Sequence, residues 1–231
     1  MRRVIFVAPF DELSDPRELA RLAARAEARG WDGFFLWDHV AYDPPVEVCA
    51  DPWVAMAAMA VATDRILLGA MVTPLARRHP MKLRREVETL HRLSGGRLVL
   101  GAGLGGTREQ ELPEYDVQDD LRARAALLDE RLDAVVGDRL VPVWVAARHP
   151  NRRPLARAAR WDGVFVIDLP GPEALGQAVA AVGPGKEVVV TDPPDADWAA
   201  WAAAGATWGL TGWGPQPRRR DVEAAIEAGP A

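Results

Sequence analysis

The amino-acid sequence predicts an α/β fold: a single closed (β/α)8 TIM barrel, compact and with short insertions. Three observations predict it. Eight short apolar runs alternate with amphipathic stretches along the 231 residues. The repeat averages about 29 residues, so eight strand–helix units fit near the small end of the usual barrel range. The runs have the length and continuous apolar character of strands buried on both faces, and strands that alternate with helices pair in parallel through right-handed crossovers. An open doubly wound sheet would need fewer strands or a second domain. No composition break marks a linker, so residues 1–231 read as one domain.

The expected strands are Val4–Ala8, Gly33–Trp37, Ile66–Met71, Leu98–Gly103, Val141–Ala147, Gly163–Ile167, Glu187–Thr191 and Thr207–Thr211. The first helix has a start signal in Asp15-Pro16-Arg17-Glu18: an N-cap, a proline at the first helical position and a glutamate placed to complete a capping box. Leu19, Leu22, Ala23 and Ala26 form its apolar stripe, and Gly30 suits a left-handed stop. Asp51-Pro52 opens a second helix through Val54–Ala62, and His79-Pro80 opens a third carrying Leu83, Val87 and Leu90. Leu121, Leu128, Leu132 and Val135 mark a fourth. Pro154–Arg160, Pro172–Val182, Asp195–Ala204 and Arg218–Ala228 supply four more.

Composition narrows the function. Lys+Arg 28 against Asp+Glu 33 gives a formal charge of −5, which argues against nucleic-acid binding through a globally basic surface. One cysteine, Cys49, excludes an intramolecular disulfide framework and a cysteine-cluster zinc site. No apolar run reaches the roughly 18–20 residues of a membrane span. The start lacks a long apolar signal region, so the expected location is the cytoplasm.

In a barrel of this kind the chemistry sits on the loops that follow the strands. Those positions hold Pro9-Phe10, Asp38-His39, Val72-Thr73, Leu104-Gly105-Gly106, Arg148-His149, Asp168, Asp192 and Gly212-Trp213. Asp38 and His39 are the first candidates, an imidazole for proton transfer beside a carboxylate that binds or orients. The glycines at 101, 103, 105 and 106 lack the Rossmann spacing and read instead as close backbone approach to a flat or phosphorylated ligand. Arg148, His149, Arg152 and Arg153 precede a helix, an arrangement that suits a phosphate, and Arg77-Arg78-His79 extends a basic rim. Trp37 and Trp213 lie near strand ends and are candidates for a cofactor wall, whereas Trp31, Trp53, Trp144 and Trp161 read as core or interface. A metal-dependent hydrolase built on Asp38, His39, His149 and Asp192 is a rival reading, although no HExxH or clustered histidine pair supports it.

Four segments carry a family resemblance: 30–39 (GWDGFFLWDH) with Asp51-Pro52-Trp53, 63–74 (TDRILLGAMVTP), 93–105 (LSGGRLVLGAGLG), and 156–163 (ARAARWDG). In order and spacing they resemble the luciferase-like monooxygenase superfamily over roughly residues 1–165. The resemblance implies a (β/α)8 barrel, usually a homodimer, that binds FMN or the deazaflavin coenzyme F420. It implies hydride transfer between that ring and a small organic substrate, with oxygen activated in some members. It places Asp38 and His39 at the ring, with His39 as acid or base, which favours the deazaflavin over FMN. Met71, Val72 and Thr73 match a bulge that often carries a non-prolyl cis peptide. Gly103, Leu104 and Gly105 match the loop along the ring or ribityl chain, and Ala146, Ala147, Arg148 and His149 match the phosphate loop. Relatives often have glycines where Arg148 and His149 stand, and the acidic residue that some sugar-phosphate dehydrogenases carry after the fourth strand is replaced by Leu104-Gly105-Gly106. The chain is short between Gly106 and Leu121 and after the sixth and seventh strands, where lids usually lie, so an open site is expected. A non-catalytic flavin-binding barrel is the alternative that this shortness suggests.

Overall fold

Eight parallel strands close in chain order, with the first hydrogen-bonded to the last. The computed structural model describes residues 1–106 and 120–230. The units are β1 (Arg2–Val7) and α1 (Pro16–Ala28), β2 (Gly33–Leu36) and α2 (Pro52–Ala62), β3 (Leu67–Pro74) and α3 (Pro80–Leu93), and β4 (Leu98–Gly103) and α4 (Leu121–Val136). They continue with β5 (Val143–Arg148) and α5 (Arg152–Ala158), β6 (Gly163–Ile167) and α6 (Gly176–Val182), β7 (Glu187–Asp192) and α7 (Trp198–Ala203), and β8 (Trp208–Gly212) and α8 (Arg219–Ala228). The expected barrel is the fold.

Alternation along each strand divides the core in two. Val4, Phe6, Phe35, Met71, Trp144, Phe165 and Trp208 fill the barrel interior. Ile5, Val7, Phe34, Leu36, Leu68 and Leu100 face the helices and join a second, larger cluster with Leu19, Leu22, Met56 and Val87. The tryptophans expected in the core are there: Trp31, Trp53, Trp144 and Trp161 are all buried.

The helix starts follow the cap signals. Asp15 accepts the Arg17 amide at 2.9 Å and Asp51 the Val54 amide at 2.9 Å. Glu18 does not close a capping box, because its carboxylate pairs with Arg21 one turn along the helix. Several boundaries differ from the expectation: β1 starts two residues early, β3 runs on to Pro74, β5 starts two residues late and α7 is trimmed to Trp198–Ala203. The fifth helix begins at Arg152 and ends at Ala158. The sixth opens as a 3-10 turn at Pro172–Ala174 and becomes α-helical only from Gly176.

Two residues brace the end of the barrel away from the strand-end loops. Arg97 donates to the carbonyls of Ala60, Thr63, Ile66 and Ser94 and to the Thr63 hydroxyl. Glu27 accepts the amides of Asp64, Arg65 and Ile66. Burial works against ionising Glu27, but these three donors outweigh it and hold its carboxyl below the ordinary range. Among the described residues no helix is long and apolar enough to cross a membrane.

Candidate active site at the C-terminal mouth

Parallel strands closing in chain order bring all eight C-terminal ends to one mouth. Asp38-His39, Met71-Val72-Thr73, Gly103-Leu104-Gly105 and Ala146 to His149 follow or end four successive strands, β2 to β5. They form one continuous arc, although more than a hundred residues separate its ends.

The centre of the arc is a register break in β3. Ala70 pairs with Leu100 and Thr73 with Ala102, so Met71 and Val72 together oppose Gly101. The Met71–Val72 peptide is cis, as the resemblance implied. The glycines of β4 explain how the bulge fits. A Cβ at Gly101 would lie 2.2 Å from the Ala70 carbonyl oxygen and 2.6 Å from Met71 Sδ. One at Gly103 would lie 2.3 Å from Val72 Cγ2 and 3.5 Å from Ala146 Cβ. The close backbone approach read from these glycines is therefore made first by β3, and it gathers Val72, Gly103 and Ala146 into contact range. Thr73 is fully buried, and its hydroxyl has no hydrogen-bond partner among the described residues.

Asp38 is committed. Its side chain is 1% exposed and accepts from Arg77 Nη2 at 3.0 Å and from Arg78 Nη2 at 2.7 Å. Arg77 also donates to the Asp38 carbonyl at 3.0 Å. The two arginines expected on a basic rim instead turn inward and tie the end of β2 to the turn after β3. Neighbouring charges on that turn find a buried carboxylate because β2 and β3 are paired strands.

His39 is half-buried in an aromatic wall. Its ring centroid lies 5.1 Å from Tyr42, 5.7 Å from Trp37 and 6.1 Å from Phe10. The β1 and β2 loops meet to build this wall. Phe10 forms an isolated antiparallel bridge with Cys49, and Asp11 accepts the amides of Glu47 and Val48 at 3.0 and 2.9 Å. Sequence reasoning missed Tyr42 and the Phe10 contact, since nothing in the local pattern shows that the two loops join. Trp37 takes the expected place at the mouth, whereas Trp213 packs against the outer core cluster.

On the far side of the arc, Arg148 pairs with Asp168, and both side chains are more than half exposed. Asp168 holds a left-handed backbone (φ 60°) there. His149 precedes a cis proline, and Asn151 leaves the first turn of α5 without a side-chain cap. A small recess of about 10 Å3 is lined by Ala147, Arg148, His149 and Asn151 together with residues of α6. Asp192 accepts the Trp201 indole N–H at 2.7 Å. Among the described residues, no group of three or more His, Cys, Asp or Glu side chains gathers to hold a metal ion, so the hydrolase set is not assembled there. The segment from Gly106 to Leu121, whose shortness suggested an open site, lies largely outside the described residues.

The comparisons bear on the family and the fold. The F420-dependent glucose-6-phosphate dehydrogenase of Nakamurella multipartita is 34% identical over 124 residues, covering 52% of this chain and 36% of that protein. The 5,10-methylenetetrahydromethanopterin reductase of Methanolobus tindarius is 27% identical over 210 residues, covering 82% of this chain and 62% of that protein. The chain spans less than two thirds of either relative's length. A solved F420-dependent secondary alcohol dehydrogenase, in complex with an F420–acetone adduct, shares the fold. Its TM-score is 0.78 at 15% identity, over 98% of this chain and 96% of that one. The luciferase-like monooxygenase family model matches residues 3–137, more than half of the sequence, and the chain belongs to that family.

Proposed function

We propose that this chain is an oxidoreductase that moves a hydride between coenzyme F420 or FMN and a small organic substrate, acting as a single barrel domain. The observation that carries the reading is the arc from His39 through the Met71–Val72 bulge to Gly103 and Ala146. It joins the β3 bulge and the side-chain-free glycines of β4 at the mouth that carries His39, with an orphaned buried hydroxyl at Thr73. These features fit a flat heterocycle set against a strand. Met71, Val72 and Thr73 would support one face, Gly103, Leu104 and Gly105 its edge, and Ala146, Ala147, Arg148 and His149 its phosphate tail. When bound, the cofactor supplies the hydride chemistry. His39 holds or delivers a proton at the reacting oxygen or nitrogen of the substrate. The aromatic wall around it excludes water on that side. Asp38 acts as a positioning residue, since its carboxylate is already spent on Arg77 and Arg78.

Titration of F420 against FMN, followed by absorbance, tests the reading. Turnover of the reduced cofactor across a panel of carbonyl and imine acceptors then tests catalysis, and oxygen consumption in the same assay tests monooxygenase chemistry. The expected result is saturable binding with turnover. Tight binding with no turnover on any acceptor would leave a carrier barrel instead. The phosphate loop makes a separate prediction. Replacing Arg148 and Arg152 together by alanine weakens cofactor binding by about tenfold, and added salt narrows the difference. Unchanged affinity at low salt would remove these cations from the site.

A homodimer is part of the same proposal. Val54 and Val61 on α2 are 65% and 74% exposed, and with Ala58 they make one apolar outward stripe. Light scattering is expected to give twice the chain mass, and Val61→Asp to halve it. A monomeric parent protein would overturn the pairing.

A further inference from the structure

The opposite end of the barrel is concave. A depression of about 400 Å3 lies among the first residues of the strands, at the far end from His39. That volume is in the range of small-molecule sites. The floor is apolar: Leu67, Val99, Trp144 and Trp208 line it. Its breadth has a cause in the sequence. β6 begins with Gly163, where a Cβ would lie 2.8 Å from Trp144 Cδ1, so the indole leans across a strand position that offers no side chain. Trp144 then meets Trp208 with ring centroids 5.1 Å apart at 52°. Trp208 is 2% exposed, and its indole N–H has no hydrogen-bond partner among the described residues.

The rim carries charge of mixed sign with a cationic surplus. Arg2, Arg139 and Lys186 stand against Asp162 and Glu187. The acids are partly occupied. Asp162 accepts the Val143 amide at 2.9 Å and lies 3.5 Å from Arg139, and Glu187 lies 3.8 Å from Arg2. Arg2 sits over the Trp208 ring at 4.7 Å while its side chain stays 59% exposed. Lys186 anchors on the Trp161 carbonyl. An exposed guanidinium stacked on one wall of an indole-lined pocket suits a flat apolar body that ends in a negative group.

We propose that this N-terminal mouth is a second binding site, distinct from the redox mouth, for a planar aromatic anion such as an aryl carboxylate. Leu67 and the accessible edges of Trp144 and Trp208 contact its body, and Arg2 and Lys186 receive its charge.

The test is 19F NMR of the full chain labelled with 5-fluorotryptophan, titrated with 1-naphthoate. The chain has nine tryptophans, and the resonances of 144, 208, 37 and 213 are assigned by single Trp→Phe variants. The Trp144 and Trp208 signals are expected to move saturably while Trp37 and Trp213, after the strands, stay still. Arg2→Ala with Lys186→Ala, two partly exposed changes, is expected to raise the Kd about tenfold, and neutral 1-naphthalenemethanol to bind about tenfold more weakly than the acid. Shifts confined to Trp37 and Trp213, or no saturable shift at all, would overturn the site. Equal affinity for the acid and the alcohol, or for the parent and the double variant, would overturn its anion preference. Failure of the redox proposal leaves these outcomes unaffected, because they are read at different tryptophans and need no cofactor.

Discussion

Replacing Asp38 by alanine is expected to destabilise the chain by about 3–5 kcal/mol, measured by urea unfolding. Two guanidiniums converge on this carboxylate, and Arg77 and Arg78 are themselves only 8% and 17% exposed at the side chain. Removing the acid leaves two cations with little water to replace it, and that uncompensated charge, more than the lost attraction, sets the size of the effect. Arg78 retains Glu86 at 3.8 Å and Arg77 retains the Asp38 carbonyl, so the turn after β3 loosens without being released entirely. A double-variant cycle sharpens the test. Asp38→Ala combined with Arg78→Ala is expected to cost less than the sum of the two single changes, because the second removes one of the charges stranded by the first. A loss below about 1 kcal/mol for Asp38→Ala would mean that water reaches the arginines, and the carboxylate would then be open to a catalytic role.

Replacing His39 by alanine is expected to lower turnover by about 10²–10⁴-fold while cofactor affinity changes little. The imidazole is placed by contact on three sides, with Phe10, Trp37 and Tyr42 around it. The wall stands partly without it, since Phe10 and Tyr42 pack at 5.3 Å and Trp37 and Tyr42 at 6.0 Å. The deletion therefore removes a proton carrier from a site whose other walls remain. A large rise in KM or Kd with unchanged kcat would instead assign His39 to binding, and an unchanged rate would remove it from the chemistry.

Much of the fold was legible because a parallel barrel strand is buried on both faces and must be apolar along its whole length. Leu98–Gly103 and Gly163–Ile167 are strands with the expected boundaries. Strand ends at β1, β3 and β5 moved by two or three residues, and the helix boundaries that slipped most belong to α5, α6 and α7, six or seven residues long. Helices that short carry too few turns for an apolar stripe to show, and packing sets their ends. The strand-end positions of the candidate site were legible for a different reason. Once the strands are parallel and closed, topology alone sends every βα loop to one mouth.

The sequence by itself determined the barrel, the mouth at which to look, and the family segments at 30–39, 63–74 and 93–105. Tertiary structure alone decided what each residue there touches. The β2–β3 pairing turned Arg77 and Arg78 from a rim into the partners of Asp38. The β3 register break made Gly101 and Gly103 the space into which Met71 and Val72 fit. The physical reason is that apolar periodicity is a local property, set by which face of an element is dry. The partner of a charge and the occupant of a glycine's missing Cβ are contacts between distant segments, and they exist only once the barrel has closed.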